Sequence, residues 1–169
     1  MEKKNMPTEK TMDRMELILK NLKEGKTVTL GELQSAGFIL AADKSFGRVI
    51  NKTHLKELKG SLTKDGCIEP VSVFFGAEYF EAYPERELAD LNDGDKKYTK
   101  DSPEVPEVIF VADGVHRVQA HVELLSEDES YKHTLRFRHV ETVLPIDRWI
   151  YVRNTNNRNW DSKDCSRHI

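Results

Sequence analysis

Cysteine is nearly absent from this chain of 169 residues, and the two that occur, Cys67 and Cys165, lie far apart without metal-type spacing. That argues against a disulfide-built secreted domain and a zinc-stapled fold, and it fits a reducing compartment. No run approaches the ~20 apolar residues needed to span a bilayer, and the start, Met1 to Lys10, is polar and charged. The expectation is a soluble, cytoplasmic protein with no membrane partner. An excess of one charge is also missing. The 26 basic and 29 acidic residues leave a net charge of −3, so no global basic field draws the chain to nucleic acid or anionic lipid. What is present is enough chain for one domain with a real core.

In chain order, Met12, Met15, Ile18, Leu19 and Leu22 recur at helical spacing and stop at Gly25. The stripe of this helix packs either on the domain's own core or against a second copy in a homodimer. Thr29-Leu30-Gly31-Glu32 has the form of a capping box, and Gly37 ends the short helix it opens, so residues 1–37 read as an N-terminal helical extension. Phe38 to Ala42 is the first expected strand. Asn51 or Thr53 can cap a helix with Leu55, Leu58 and Leu62 facing inward and Gly66 at its end. Val71, Val73 and Phe75 then form a strand, with Pro70 suited to its entry. Thr134 to Val140 alternates apolar and polar residues, and the last helix starts at Pro145 and carries Trp149 and Ile150. The fold class implied is α+β (mixed α/β), a small mixed sheet flanked by helices over residues 38–169.

One long segment interrupts this pattern. Gly76 to Glu107 holds Pro84, Pro103 and Pro106, an Asn92-Asp93-Gly94 turn and many acids. It reads as an insertion at about 76–107 that adds no central strand, leans towards disorder and contains a short helix from Pro84 to Leu91. The sharper alternative is a lid over the site described next.

The most informative stretch is Val108 to Leu125. Val108-Ile109-Phe110-Val111 reads as a strand buried on both faces, ending at Asp113-Gly114. Val115, Val118, Val122 and Leu125 then mark the core stripe of a helix. Arg117 falls in its first turn, beside the backbone N–H groups that no preceding carbonyl bond uses. A strand, a glycine that lets the backbone approach closely, a helix amino end and an arginine fork together suit a phosphate. The alternative is an ordinary Asp-Gly turn with Arg117 on the surface.

Several of these features occur in a familiar order. Arg48, Asn51, Leu55-Lys56-Glu57-Leu58, Ser61-Leu62, Gly66-Cys67-Ile68-Glu69-Pro70-Val71, Asp113-Gly114-Val115-His116-Arg117 and Leu124 resemble the amino-terminal domain of the ParB and sulfiredoxin-like superfamily. Asn156-Asn157-Arg158-Asn159-Trp160 is similar to the polar, tryptophan-ended segment that follows that domain in several ParB-like proteins. The resemblance covers roughly Phe38 to Trp160.

The resemblance implies a nucleoside triphosphate with magnesium as cofactor. Gly114, His116 and Arg117 would hold phosphates, with Arg48 as a further cation near the nucleotide. Asp113 would be the catalytic residue, holding the metal or orienting an attacking hydroxyl. It further implies a nucleotide-gated switch with NTPase activity in a DNA-related role, in a plasmid, phage or mobile element, with DNA or a DNA-binding protein as partner. The alternatives are a small-molecule phosphotransferase resembling the ParB-like free-serine kinases, and a metal-dependent nuclease or non-catalytic nucleic-acid-binding domain. The departures narrow these. Val115 stands where sulfiredoxins need a cysteine, so sulfinic acid repair is not expected. No helix-turn-helix region follows, so sequence-specific DNA reading is not expected either. His54 and Glu69 are weaker candidates, the latter as a residue facing water.

Overall fold

The computed structural model describes residues 9–45, 52–66 and 69–156. In chain order the described elements are α1 (Glu9–Lys23), β1 (Val28–Thr29), α2 (Leu30–Ser35), β2 (Ile39–Ala42), α3 (Lys52–Asp65), β3 (Val71–Phe75) and α4 (Gly76–Ala82). There follow β4 (Leu88–Asp90), β5 (Lys97–Tyr98), a 3₁₀ turn at Val105–Glu107, β6 (Val108–Asp113), α5 (Val115–Glu127), β7 (Arg136–His139) and α6 (Ile146–Asn156). All seven strands belong to one mixed sheet in the order β1-β7-β3-β6-β2-β4-β5. The protein is a single mixed α/β domain, as its patterning implies. Among the described residues no helix is long and apolar enough to cross a membrane.

The apolar run becomes the middle strand because both of its faces are covered. β6 lies antiparallel to β3 and parallel to β2. Successive strand residues point to opposite faces. Accordingly Ile109 and Val111 join one core cluster with Ile18, Leu22, Leu33, Val118 and Phe137. Val108 and Phe110 join the other, with Tyr79, Phe80, Ile146 and Ile150. Helices α1, α2 and α5 therefore cover one face of the sheet, and α4 and α6 the other. Each such side chain contributes about 1.5–3 kcal/mol by leaving water. Helix α3 does not lie on the sheet. Its Leu58 and Leu62 pack on Ala120 and Leu124 of α5, with Tyr131 closing the cluster.

Local signals hold where the determinant is local. Thr29 Oγ1 accepts from the Glu32 N–H at 3.1 Å and Glu32 Oε1 from the Thr29 N–H at 2.8 Å, so the capping box opens α2 as expected. Three expectations need correction. First, the described part of the expected helical extension, residues 9–37, is more than an extension. Val28 pairs with Phe137 at the sheet edge, and Leu22, Val28, Leu30 and Leu33 are buried in the common core. A two-residue strand is too short to show an alternation, so only its partner reveals it. Second, Leu125 is 49% exposed, while its neighbour Leu124 is buried against α3. Helix α5 is sandwiched between the sheet and α3, so it buries two faces instead of one stripe.

The third correction is the largest. Residues 76–107 are neither a disordered excursion nor a lid. They supply α4, then β4 and β5, which extend the sheet beyond β2, and there is no helix at 84–91. Average composition hid four well-placed large side chains: Tyr79, Phe80, Leu88 and Tyr98 are all buried. Their polar tips are satisfied. The Tyr98 hydroxyl donates to Asp90 at 2.7 Å, and the Tyr79 hydroxyl bonds Asp43 at the end of β2. Gly76 permits the docking of α4, because a Cβ there would come within 2.8 Å of the Val108 carbonyl oxygen. The segment does add its strands at the sheet edge and not at the centre.

Candidate functional site

The chain leaves β6 at Asp113, turns through Gly114 and enters α5 at Val115. Gly114 has φ +105°, a left-handed conformation that a side chain would strain, and it caps α5 without any side-chain hydrogen bond. The Val118 N–H bonds the Gly114 carbonyl at 3.0 Å and so closes the first turn. Arg117, in that turn, folds back over the glycine. A Cβ on Gly114 would come within 2.9 Å of Arg117 Nη2. The sequence thus places a planar cation and a helix amino end within contact of the same backbone.

Two further segments meet the turn. Arg117 Nη1 donates to the Glu69 carbonyl at 3.0 Å, and its Nη2 lies 3.6 Å from Asp113 Oδ2. Arg153, in the last turns of α6, donates from Nε to Asp113 Oδ2 at 3.0 Å and from Nη2 to Glu69 Oε1 at 2.8 Å. Two arginines and two carboxylates therefore form one chain of charge-assisted bonds between the entry to β3, the end of β6, the head of α5 and the tail of α6. The side chains are 13% exposed for Arg117, 23% for Arg153, 25% for Glu69 and 26% for Asp113. That range keeps the pairs partly screened but leaves each within reach of solvent and of a ligand.

Of the residues expected at the site, Asp113, Gly114 and Arg117 come together. His116 is half-buried in the same helical turn. Arg48, Cys67 and the tail Asn157 to Trp160 lie outside the described residues, as does the side chain of His54. Two members differ from the expectation. Glu69, a weaker candidate expected to face water, bonds Arg153, and Arg153 is not among the expected site residues. The signal for Arg153 was available: Ile146, Trp149, Ile150 and Arg153 share one helical stripe, so the arginine follows its apolar neighbours inward and reaches past the sheet end. Nothing local marked Glu69, whose partner lies 84 residues away.

The donor set discriminates between the two expected cofactor components. A phosphate fits, because a helix amino end and an arginine fork supply anion donors and Gly114 leaves room for close approach. A magnesium ion on Asp113 fits poorly, because Oδ2 already faces two guanidinium groups and a cation there would have to displace one of them.

No family model, curated protein or solved structure matches this chain.

Proposed function

We propose that the chain is a nucleoside-triphosphate-binding domain whose phosphate site is the head of α5, with Gly114, His116 and Arg117 as the phosphate-holding residues. One observation carries this reading: the Arg117 guanidinium lies against a left-handed glycine at a helix amino end. In this reading Glu69 and Asp113 occupy the arginine forks as phosphate oxygens would, and nucleotide binding exchanges one set of anions for the other. Because Arg153 ties α6 to both carboxylates, the exchange would loosen α6, which is the element a nucleotide-gated switch needs. Asp113 positions the two arginines and is assigned no metal. Hydrolysis and the DNA-related role rest on the resemblance alone.

The test is calorimetric titration of the purified protein with each of the four common ribonucleoside triphosphates. Wild type is expected to bind at least one of them. Arg117→Lys should weaken that binding at least tenfold, because lysine offers one mobile charge where the site has a planar fork. Glu69→Gln should bind severalfold more tightly, because the carboxylate that holds Arg153 is neutralised while the backbone carbonyl on Arg117 stays in place. Failure of wild type to bind any of the four, or unchanged binding by Arg117→Lys, would reduce the network to a clasp that fastens α6 to the sheet.

A further inference from the structure

The sheet face that carries α4 and α6 is covered only in part. On β7, Phe137 points into the core on the opposite side, so Arg136 and Arg138 point to the α6 face, and both are exposed. Val140, the next residue of that row, is the first to find cover, packed with Phe74, Ile146 and Trp149. Ahead of it the row is bare among the described residues. Neither arginine has a hydrogen bond or an ion pair there. The two stand a pair of strand residues, ~7 Å, apart. The position across from Arg138 carries a hydroxyl, Ser72, where an acid would have balanced the charge. Residues 130–140 hold Lys132, Arg136 and Arg138 and no acid, in a chain with 29 acids and a net charge of −3. The surface is therefore locally basic where the sheet is bare.

We infer that this face binds the sugar-phosphate backbone of a single-stranded nucleic acid, with phosphates on Arg136, on Arg138 beside Ser72, and on Lys132 in the exposed segment that leads into β7. Guanidinium, ammonium and hydroxyl groups are the side-chain donors that meet nucleic-acid phosphates. Like charges repeated at a fixed strand spacing match evenly spaced phosphates better than the irregular acids of a protein surface. The bare strip runs between α6 and the sheet edge at β1, ~10 Å wide, which gives a bed to one strand. β7 presents no aromatic ring on this face for a base to stack on, so the backbone is held without regard to sequence. Ser72 pairs in register with Asp113 as well as with Arg138, so Arg138 stands two strands, ~10 Å, from the head of α5. A terminal phosphate of the strand lies within reach of that head. The inference does not depend on the phosphate site, since Arg136 and Arg138 stand outside the bonds that join Arg117 and Arg153 to the two carboxylates.

The experiment is fluorescence anisotropy of a labelled oligothymidylate of about 12 nucleotides, without a terminal phosphate, titrated with the full chain at a series of salt concentrations. Binding should saturate and weaken with salt along a log-log slope of about −2, the value for three phosphates of a single strand. Arg136→Ala and Arg138→Ala combined should weaken it about tenfold or more and bring the slope to about −0.7, with an unchanged melting temperature because both side chains are exposed and unpaired. Lysine at both positions should restore most of the affinity, because a backbone phosphate accepts a point charge. Nucleotide titration separates this face from the head of α5: the double alanine variant should bind nucleoside triphosphates as wild type does, and Arg117→Ala should keep the oligonucleotide. Oligouridylate of equal length names the source, since tighter binding than oligothymidylate supports an RNA strand and weaker binding a DNA strand. Absence of saturable binding, no loss in the double alanine variant, or loss of the oligonucleotide in Arg117→Ala overturns the proposal. So does binding of a matched duplex as tight as that of the single strand, or of polyglutamate as tight as that of the oligonucleotide, which would make the face a dock for an acidic protein.

Discussion

Two polar clusters sit at strand ends of the same sheet, and they are built for different work. At the end of β2, Asp43 is 7% exposed and both of its oxygens are engaged: Oδ1 accepts from the Ser45 N–H at 2.9 Å and from its hydroxyl at 2.6 Å, while Oδ2 takes the Tyr79 hydroxyl and lies 3.5 Å from Arg86 Nη1. Burial, and then the Asp43 carboxylate, push the Tyr79 hydroxyl above its ordinary range, so it stays a donor. At the end of β6, Asp113 and Glu69 are about a quarter exposed and share two arginines that could equally serve another anion. A carboxylate sealed from water and held by three neutral donors beside a single guanidinium fastens a segment. One that remains in contact with solvent and holds cations can be exchanged.

The comparison can be broken first where the expected effect is greatest. Replacing residues 77–106 by a short glycine linker should abolish cooperative unfolding, because it removes Tyr79, Phe80, Leu88 and Tyr98 and exposes the β2 edge. A sharp two-state thermal transition in that variant would show the segment to be an appendage after all. Asp43→Ala should follow, at about 3 kcal/mol of stability, since it leaves the buried Tyr79 hydroxyl unpaired. Nucleotide titration of the same variant should match wild type; a loss of binding would merge the two clusters into one site.

Arg117→Ala should show the reverse balance. Read from the sequence as a surface residue, Arg117 could be removed within about half a kcal/mol. Held by the Glu69 carbonyl and beside Asp113, its loss should instead lower denaturant stability by about 1–2 kcal/mol and remove nucleotide binding altogether. Stability loss with binding intact would make it a clasp like Asp43.

The smallest effect concerns a third polar pair, His121 and Tyr131, bonded at 2.7 Å beneath α3. Burial first, and the nearby His133 second, hold the imidazole below its ordinary pKa of 6.5. The unfolded chain therefore takes up a proton that the folded chain refuses. The stability from this group is present above about pH 6.5 and is lost as the pH falls from there through the lower folded value. Chemical denaturation should show this decline between neutral and mildly acid pH in wild type, and His121→Gln should flatten it. An unchanged slope in the variant would move the titration to another group.

How much of this was readable in advance follows from the range of each interaction. The strand Val108–Asp113, the turn at Gly114, the start of α5 and the box at Thr29–Glu32 depend on residues within four positions of one another, and the amino-acid sequence determined them by itself. The glycine is legible because its φ of +105° is a property of one residue. The clustering of Asp113, Gly114 and Arg117 was legible for the same reason. What Arg117 and Asp113 bind was not, because Glu69 and Arg153 come from 48 and 40 residues away. Only the stacking of β3, β6 and α6 brings those ends together. The edge strands of residues 76–107 were hidden likewise. Runs of two or three residues carry no period of their own, and they become strands when β2 offers its unpaired edge and a buried Asp43 meets Tyr79. Local sequence chose where the backbone turns, and tertiary structure chose which charges face each other after it has turned, because hydrophobic period and capping act within a helical turn whereas ion pairs are selected by topology.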